Sequence, residues 1–130
     1  MTTASKTATL TTIAPQLLVQ DVAQTTAYYR DVLGFEVGMS GSYGIVNRGP
    51  ISLHFIKYAK TGEGQPVGNN DDLGKMSDVY IETDNVEALY AEFVAKGATV
   101  NGEPKVTPWG MKQFEVTDCN AYVLVFGQDV

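Results

Sequence analysis

The chain repeats itself at an interval of 63 positions: Asp21 is matched by Asp84, Gly34 by Gly97 and Val37 by Val100. Each pair does one structural job. The aspartate stands before an amphipathic run, where its carboxylate can take up a free helix N–H. The glycine follows that run, where positive φ ends a helix. The valine opens the next extended segment. Such a duplication constrains the fold more than any single motif, because both halves must bury equivalent surfaces.

The segments between these marks are alike as well. "APQLLVQ" (14–20) reads as a strand. Asp21 with Gln24 three residues on is a capping-box arrangement, and "VAQTTAYYRDVL" predicts a helix with Ala23, Ala27, Tyr28 and Val32 on its buried face. "FEVGMS", "YGIVNR" and "ISLHFIKY" follow as strands, separated by Gly41 and by Gly49-Pro50. In the second half "SDVYIET" is a strand, Asp84 with Glu87 repeats the capping box, and "NVEALYAEFVAK" is a helix stopped by Gly97. "ATV", "GMKQFEVTD" and "AYVLVFG" supply the last strands. The pattern is βαβββ written twice. It predicts an α+β fold in which two modules, about 13–58 and 77–127, form curved mixed sheets with the helices outside and a concave face between them. Residues 1–12 read as an N-terminal arm. The Gly- and Asn-rich stretch 59–76 reads as a loop.

Composition narrows the function. A net charge of −6 opposes binding to nucleic-acid phosphates and suits a cationic small molecule. The single cysteine, Cys119, can form no intramolecular disulfide and no thiolate zinc site. No apolar run approaches membrane-spanning length, and "MTTASKTATLTTIAP" lacks the apolar core of a secretory signal, so a cytoplasmic protein is expected.

Strand alternation sorts the side chains. Ser52, His54 and Ile56 share one face of "ISLHFIKY", opposite Ile51, Leu53 and Phe55. Asp78, Tyr80 and Glu82 lie opposite Val79 and Ile81. The inner face is expected to hold Gln16, Leu18, His54, Ile56, Asp78, Tyr80, Val123 and Val125. That mixture of apolar and scattered polar groups suits a small-molecule pocket. His54, the only histidine, reads first as a cavity-lining or hydrogen-bonded group, then as a ligand contact, and only after these as a metal ligand or base. Asp78 reads either as a rim carboxylate with solvent access or as an inner-face group that calls for a partner, His54 or a cationic ligand. Trp109, the only tryptophan, either covers the pocket or packs at a subunit interface. Cys119, in a turn far from any base, offers no catalytic thiol.

"APQLLVQDVAQTTAYYRDVLGFEV" resembles the opening module of the vicinal oxygen chelate superfamily of glyoxalases, bleomycin-resistance proteins and dioxygenases. "VEALYAEFVAKGATV", "PWGMKQFEVTD" and "AYVLVF" are similar to the second half of bleomycin-resistance proteins. The resemblance covers about residues 13–127. It implies four metal-ligand positions in the metal-dependent members, which fall here on Ala14, His54, Asp78 and Val125. Two of these cannot bind a metal. The resemblance therefore implies a binder without metal or cofactor. His54, Asp78, Tyr80, Glu82, Trp109 and Gln113 are its ligand contacts, and the pocket lies at a homodimer interface, with Pro15 directing the arm onto the partner. The alternative is a metal-dependent lyase or dioxygenase. The family's Asp-Pro-x-Gly-Asn turn before the last strand is here "DCNAY", with Cys119 and Ala121 at the proline and glycine positions.

Overall fold

A computed structural model describes residues 7–58 and 77–130. The start of the expected arm, 1–6, and the expected loop, 59–76, lie outside the described residues. The first half runs β1 (Gln16–Val19), α1 (Val22–Asp31), β2 (Glu36–Ser40), β3 (Tyr43–Arg48) and β4 (Ile51–Lys57). The second runs β5 (Val79–Glu82), α2 (Val86–Ala95), β6 (Thr99–Val100), β7 (Lys105–Val106), β8 (Met111–Thr117) and β9 (Val123–Asp129). Strand β7 is absent from the sequence reading; it is a two-residue pairing of Lys105 and Val106 with Gln113 and Lys112 of β8.

The first sheet has the order β1-β4-β3-β2, with β1 and β4 parallel. The second has the order β5-β9-β8-β6, with β5 and β9 parallel and β7 also paired to β8. The duplicated sequence therefore folds into a duplicated topology. Both glycine stops adopt positive φ, +75° at Gly34 and +83° at Gly97.

Two helix details differ from the sequence reading. The second cap is Asn85, whose side chain accepts from the Ala88 amide at 3.0 Å, and not Asp84. The backbone carbonyl of Asp84 instead accepts from the Gln128 side chain, whose oxygen takes the Val86 amide. The buried face of α1 consists of Val22, Thr25, Thr26 and Tyr29, continued by Leu33; of the residues expected there, Tyr28 and Val32 pack partly buried against the core, and Ala23 and Ala27 are not buried. Threonine is tolerated there because its hydroxyl bonds back to the preceding turn: Thr25 to the Asp21 carbonyl and Thr26 to that of Ala23.

One core joins the halves. The helix-facing residues Val19, Val46, Leu53 and Phe55 of the first sheet and Phe114, Val116, Leu124 and Phe126 of the second belong to a single buried cluster with Tyr29 and Phe93. Burial of each such side chain stabilises by about 1.5–3 kcal/mol. Two polar locks cross the junction. The Tyr29 hydroxyl donates to Asp118 Oδ2 at 2.5 Å, and Asp118 Oδ1 accepts from the Asn120 and Tyr122 amides. Asn120 then donates to Thr25, and the Tyr122 hydroxyl to the Leu18 carbonyl at 2.6 Å. On the other helix, Arg48 grips Glu92 with both terminal nitrogens at 2.7 and 2.9 Å and also donates to the Leu33 carbonyl. Each helix is thus held by the hairpin end of the opposite half.

The turn that carries Asp118 contains strain. Ala121 has φ of +67° and is the one non-glycine residue in that region among those described. It stands where the resembling turn has glycine. Replacing Ala121 with Gly should stabilise the protein by about 0.5–1 kcal/mol, the left-handed penalty less the greater freedom of an unfolded glycine. Chemical denaturation measures this.

Burial raises the pKa of Asp118 above the usual carboxylate value, only partly opposed by the Tyr29 hydroxyl and the two amides. A raised folded pKa means that the native state keeps a proton which the unfolded chain has lost. The group's favourable contribution is therefore complete below the unfolded carboxylate pKa and disappears as pH rises through the folded one. Asp118→Asn keeps one oxygen for both amides and turns an N–H toward the Tyr29 oxygen. It should flatten the pH dependence of stability just above the ordinary carboxylate range, as read from denaturation midpoints across that range.

Candidate functional site

Opposite the helices, the first sheet presents a polar group on an apolar floor. Register places Gln16 and Ile45 directly beside His54, and Tyr43 beside Ile56. The Tyr43 hydroxyl lies 2.7 Å from His54 Nδ1 and receives the Gln16 side-chain N–H at 2.8 Å. The two rings meet edge to face at 5.4 Å. Leu18, half-exposed Met39, Ile45 and Ile56 surround this trio. Met39 joins the same face because a bulge at Gly38 shifts the β2 register.

Sequence reading placed Gln16 and His54 on this face but missed Tyr43. The signal was present: the short Gly49-Pro50 turn fixes the β3–β4 register, and alternation then puts Tyr43 on the face of His54. The histidine consequently has a partner on its own sheet.

The second sheet presents a different surface. A cavity of about 470 Å³ is lined by Asn101, Glu103, Lys105, Thr107, Gln113 and Glu115, with Val123 beneath. Tyr80, 46% exposed, lies across Gly127, where an added Cβ would stand 2.5 Å from its hydroxyl oxygen. Glycine at 127 is therefore required for that ring to lie flat on the sheet. Asp78 Oδ2 accepts from the Val123 amide at 2.8 Å, so the carboxylate expected to seek His54 or a cation is anchored to the neighbouring strand. Trp109 is 70% exposed, on the tight turn that Thr107 and Gly110 close between β7 and β8.

Of the six expected contacts, Gln113 alone lines that cavity, while Tyr80 and Asp78 lie on the same sheet and His54 on the other. Glu82 lies at a second groove of about 460 Å³ on the helix-bearing side, where Phe35 and Ile51 of the first half meet Ile81, Phe93 and Phe126 of the second. The groove shared by the two halves is thus not on the sheet faces that carry His54 and Gln113.

The residues do not fit a metal centre of the kind found in metal-dependent relatives. Of the four expected ligand positions, Ala14 and Val125 are apolar, and His54 and Asp78 stand on different sheets with the bonds just described. Among the described residues, no three His, Cys, Asp or Glu side chains come together. A thiolate at Cys119 is disfavoured. Although the residue reaches the surface, burial of the thiol and the nearby Asp118 push its pKa up to about 11. No helix among the described residues is long and apolar enough to cross a membrane.

Gln113 Oε1 is buried without a hydrogen-bond partner, the only such side-chain atom among the described residues. An orphaned acceptor costs roughly 1–3 kcal/mol. Gln113→Leu should accordingly raise the stability of the ligand-free protein by about 1 kcal/mol, measured by thermal and urea unfolding.

Comparison with known proteins agrees with this geometry. The sequence pattern of the Glyoxalase/Bleomycin resistance protein/Dioxygenase superfamily matches residues 9–126. Among curated proteins, none matches the chain. A bleomycin-binding protein from bleomycin-producing Streptomyces verticillus, solved with copper(II)-bleomycin, is similar in fold (TM-score 0.71, 21% identity, 92% of this chain and 97% of that one). So is a bleomycin resistance determinant encoded on the transposon Tn5 (TM-score 0.72, 20% identity, 92% and 98%). A glyoxalase-related enzyme from Clostridium phytofermentans is also similar (TM-score 0.76, 16% identity, 97% and 100%). The length of the sequence match, the duplicated topology and these neighbours lead to one conclusion: the chain belongs to the glyoxalase/bleomycin resistance protein/dioxygenase superfamily.

Proposed function

We propose that this protein binds a small organic molecule and holds it without transforming it, as a bleomycin-resistance protein does, with no metal taking part. The observation that carries this reading is the chemistry of the two sheet faces. Each combines apolar floor with a few hydrogen-bonding groups, and among the described residues neither has the carboxylate–histidine cluster that a catalytic ion needs. A face of this kind recognises a ligand by burial and by a small number of directed bonds.

The ligand is a cationic or partly cationic compound, drawn by the net charge of −6 and by Glu103 and Glu115 at the second-sheet cavity. The protein acts as a homodimer in which the His54 face of one copy meets the Gln113 face of the other. Supporting this are the apolar residues left exposed, Leu18, Met39, Tyr80 and Trp109 on or beside these faces and Leu10 and Ile13 ahead of β1. A second copy and a ligand together would cover them.

Titration with bleomycin should release heat and change the fluorescence of Trp109. Neither signal appearing at micromolar protein would remove bleomycin as the ligand. Elemental analysis after soaking in Zn, Ni, Mn and Fe salts should find no stoichiometric metal. A bound equivalent, with a catalysed reaction lost in His54→Ala, would make the protein an enzyme of the superfamily instead. Light scattering should give a dimer, and removal of residues 1–12 should shift it toward monomer.

A further inference from the structure

The bond pattern around His54 bears on which ring nitrogen carries its proton. Gln16 approaches Tyr43 with its amide nitrogen, so the Tyr43 oxygen accepts from Gln16. The Tyr43 proton is then free to go to the atom 2.7 Å away on the other side, His54 Nδ1. A neutral imidazole whose Nδ1 accepts must hold its own proton on Nε2. Among the described residues, no hydrogen bond competes for that nitrogen. Nε2, the ring nitrogen outside that bond, is not among the buried side-chain atoms left without a partner. Around it are Leu18, Ile45 and Ile56.

We propose that His54 is a fixed hydrogen-bond donor whose Nε2–H reads an acceptor on the ligand, such as a carbonyl, amide or carboxylate oxygen, and that Gln16 and Tyr43 are the positioning residues that set this tautomer. The inference rests on the binding reading above and specifies what that site takes. It also accounts for the metal mismatch from the histidine's side. A metal-bound histidine offers a bare nitrogen to the ion and donates its other N–H to an acceptor. In this tautomer Tyr43 donates to Nδ1 and Nε2 carries the proton, so neither nitrogen is left bare for an ion. The trio thus holds the imidazole in the protonation pattern opposite to a ligand's.

The apolar surroundings give the donor its selectivity. A lone N–H on an apolar floor loses its water when a ligand covers it. An acceptor in the ligand restores the bond, whereas a donor or a plain methyl group leaves the N–H unpaired. The face therefore discriminates by the direction of one hydrogen bond.

Because the chain has one histidine, ring ¹⁵N labelling reports on this site alone. Long-range proton–nitrogen spectra of the full chain with a neutral imidazole should show Nδ1 as an unprotonated nitrogen and Nε2 as a protonated one. Gln16→Glu is the decisive variant. A carboxylate only accepts, so it would take the Tyr43 proton, make the Tyr43 oxygen accept from Nδ1–H, and move the ring to the opposite tautomer. Two probes of similar size read the consequence. N,N-dimethylbenzamide offers only an acceptor and should perturb the wild-type Nε2 resonance, whereas benzylammonium offers only donors and should not. In Gln16→Glu the preference should reverse. His54→Phe, which keeps a ring on the face, should bind the amide roughly fivefold more weakly, the worth of one hydrogen bond.

A protonated Nδ1 in the wild type, an unchanged tautomer in Gln16→Glu, or a wild-type Nε2 resonance perturbed by benzylammonium and not by the amide would each overturn the assignment. Bleomycin titration of the same samples separates this assignment from the broader reading. The expected tautomer without bleomycin binding supports the role of His54 and removes only that drug. Bleomycin binding by a ring protonated on Nδ1 overturns the role of His54 and leaves sequestration standing.

Discussion

The buried hydrogen bond from Tyr29 to Asp118 is the contact on which the rest of the arrangement depends. It joins the helix of the first half to the last hairpin of the second, across 89 positions of sequence. A carboxylate that is 6% exposed is costly unless fully satisfied. Asp118 meets that requirement with one hydroxyl and two backbone amides, and those amides define the turn leading into β9. The strained Ala121 conformation sits inside the same turn and persists because these bonds over-determine it. The Arg48–Glu92 pair repeats the arrangement on the other helix, more exposed and so worth less per bond.

This junction decides where function can be. Because the helix-bearing faces meet in one core, the opposite faces of both sheets remain available for ligand or partner. They are chemically unlike. The first offers a histidine held by tyrosine and glutamine over an apolar floor. The second offers carboxylates, amides and a lysine around a cavity, with Tyr80 lying over Gly127. The duplicated fold thus has one backbone plan in both halves and two chemically different sheet faces, as expected when the core constrains packing and leaves those faces free.

Much of the plan is legible in the residues. The caps and stops come from side chains acting on their own backbone within a few positions, so Asp21, Gly34 and Gly97 could be read directly, and strand alternation placed His54 and Phe55 on opposite faces. The second cap was misread because Asp84 and Asn85 are both good caps, and what selects between them is Gln128, 44 positions away, which takes the Asp84 carbonyl. The face of α1 was misread because alternation of apolar letters cannot show that Thr25 and Thr26 satisfy their hydroxyls locally, or that Tyr29 finds its partner on a distant turn.

The sequence by itself determined the βαβββ repeat, the superfamily, and the lack of ligand-type side chains at two of the four family positions, since each rests on residue identity and short spacing. Only the tertiary structure decided that Tyr43 and Gln16 converge on His54, that Asp78 is tied to Val123, and that Gln113 and Glu82 belong to different cavities. Those outcomes depend on register between strands and on which sheet faces meet, and both are fixed by long-range packing against a shared core.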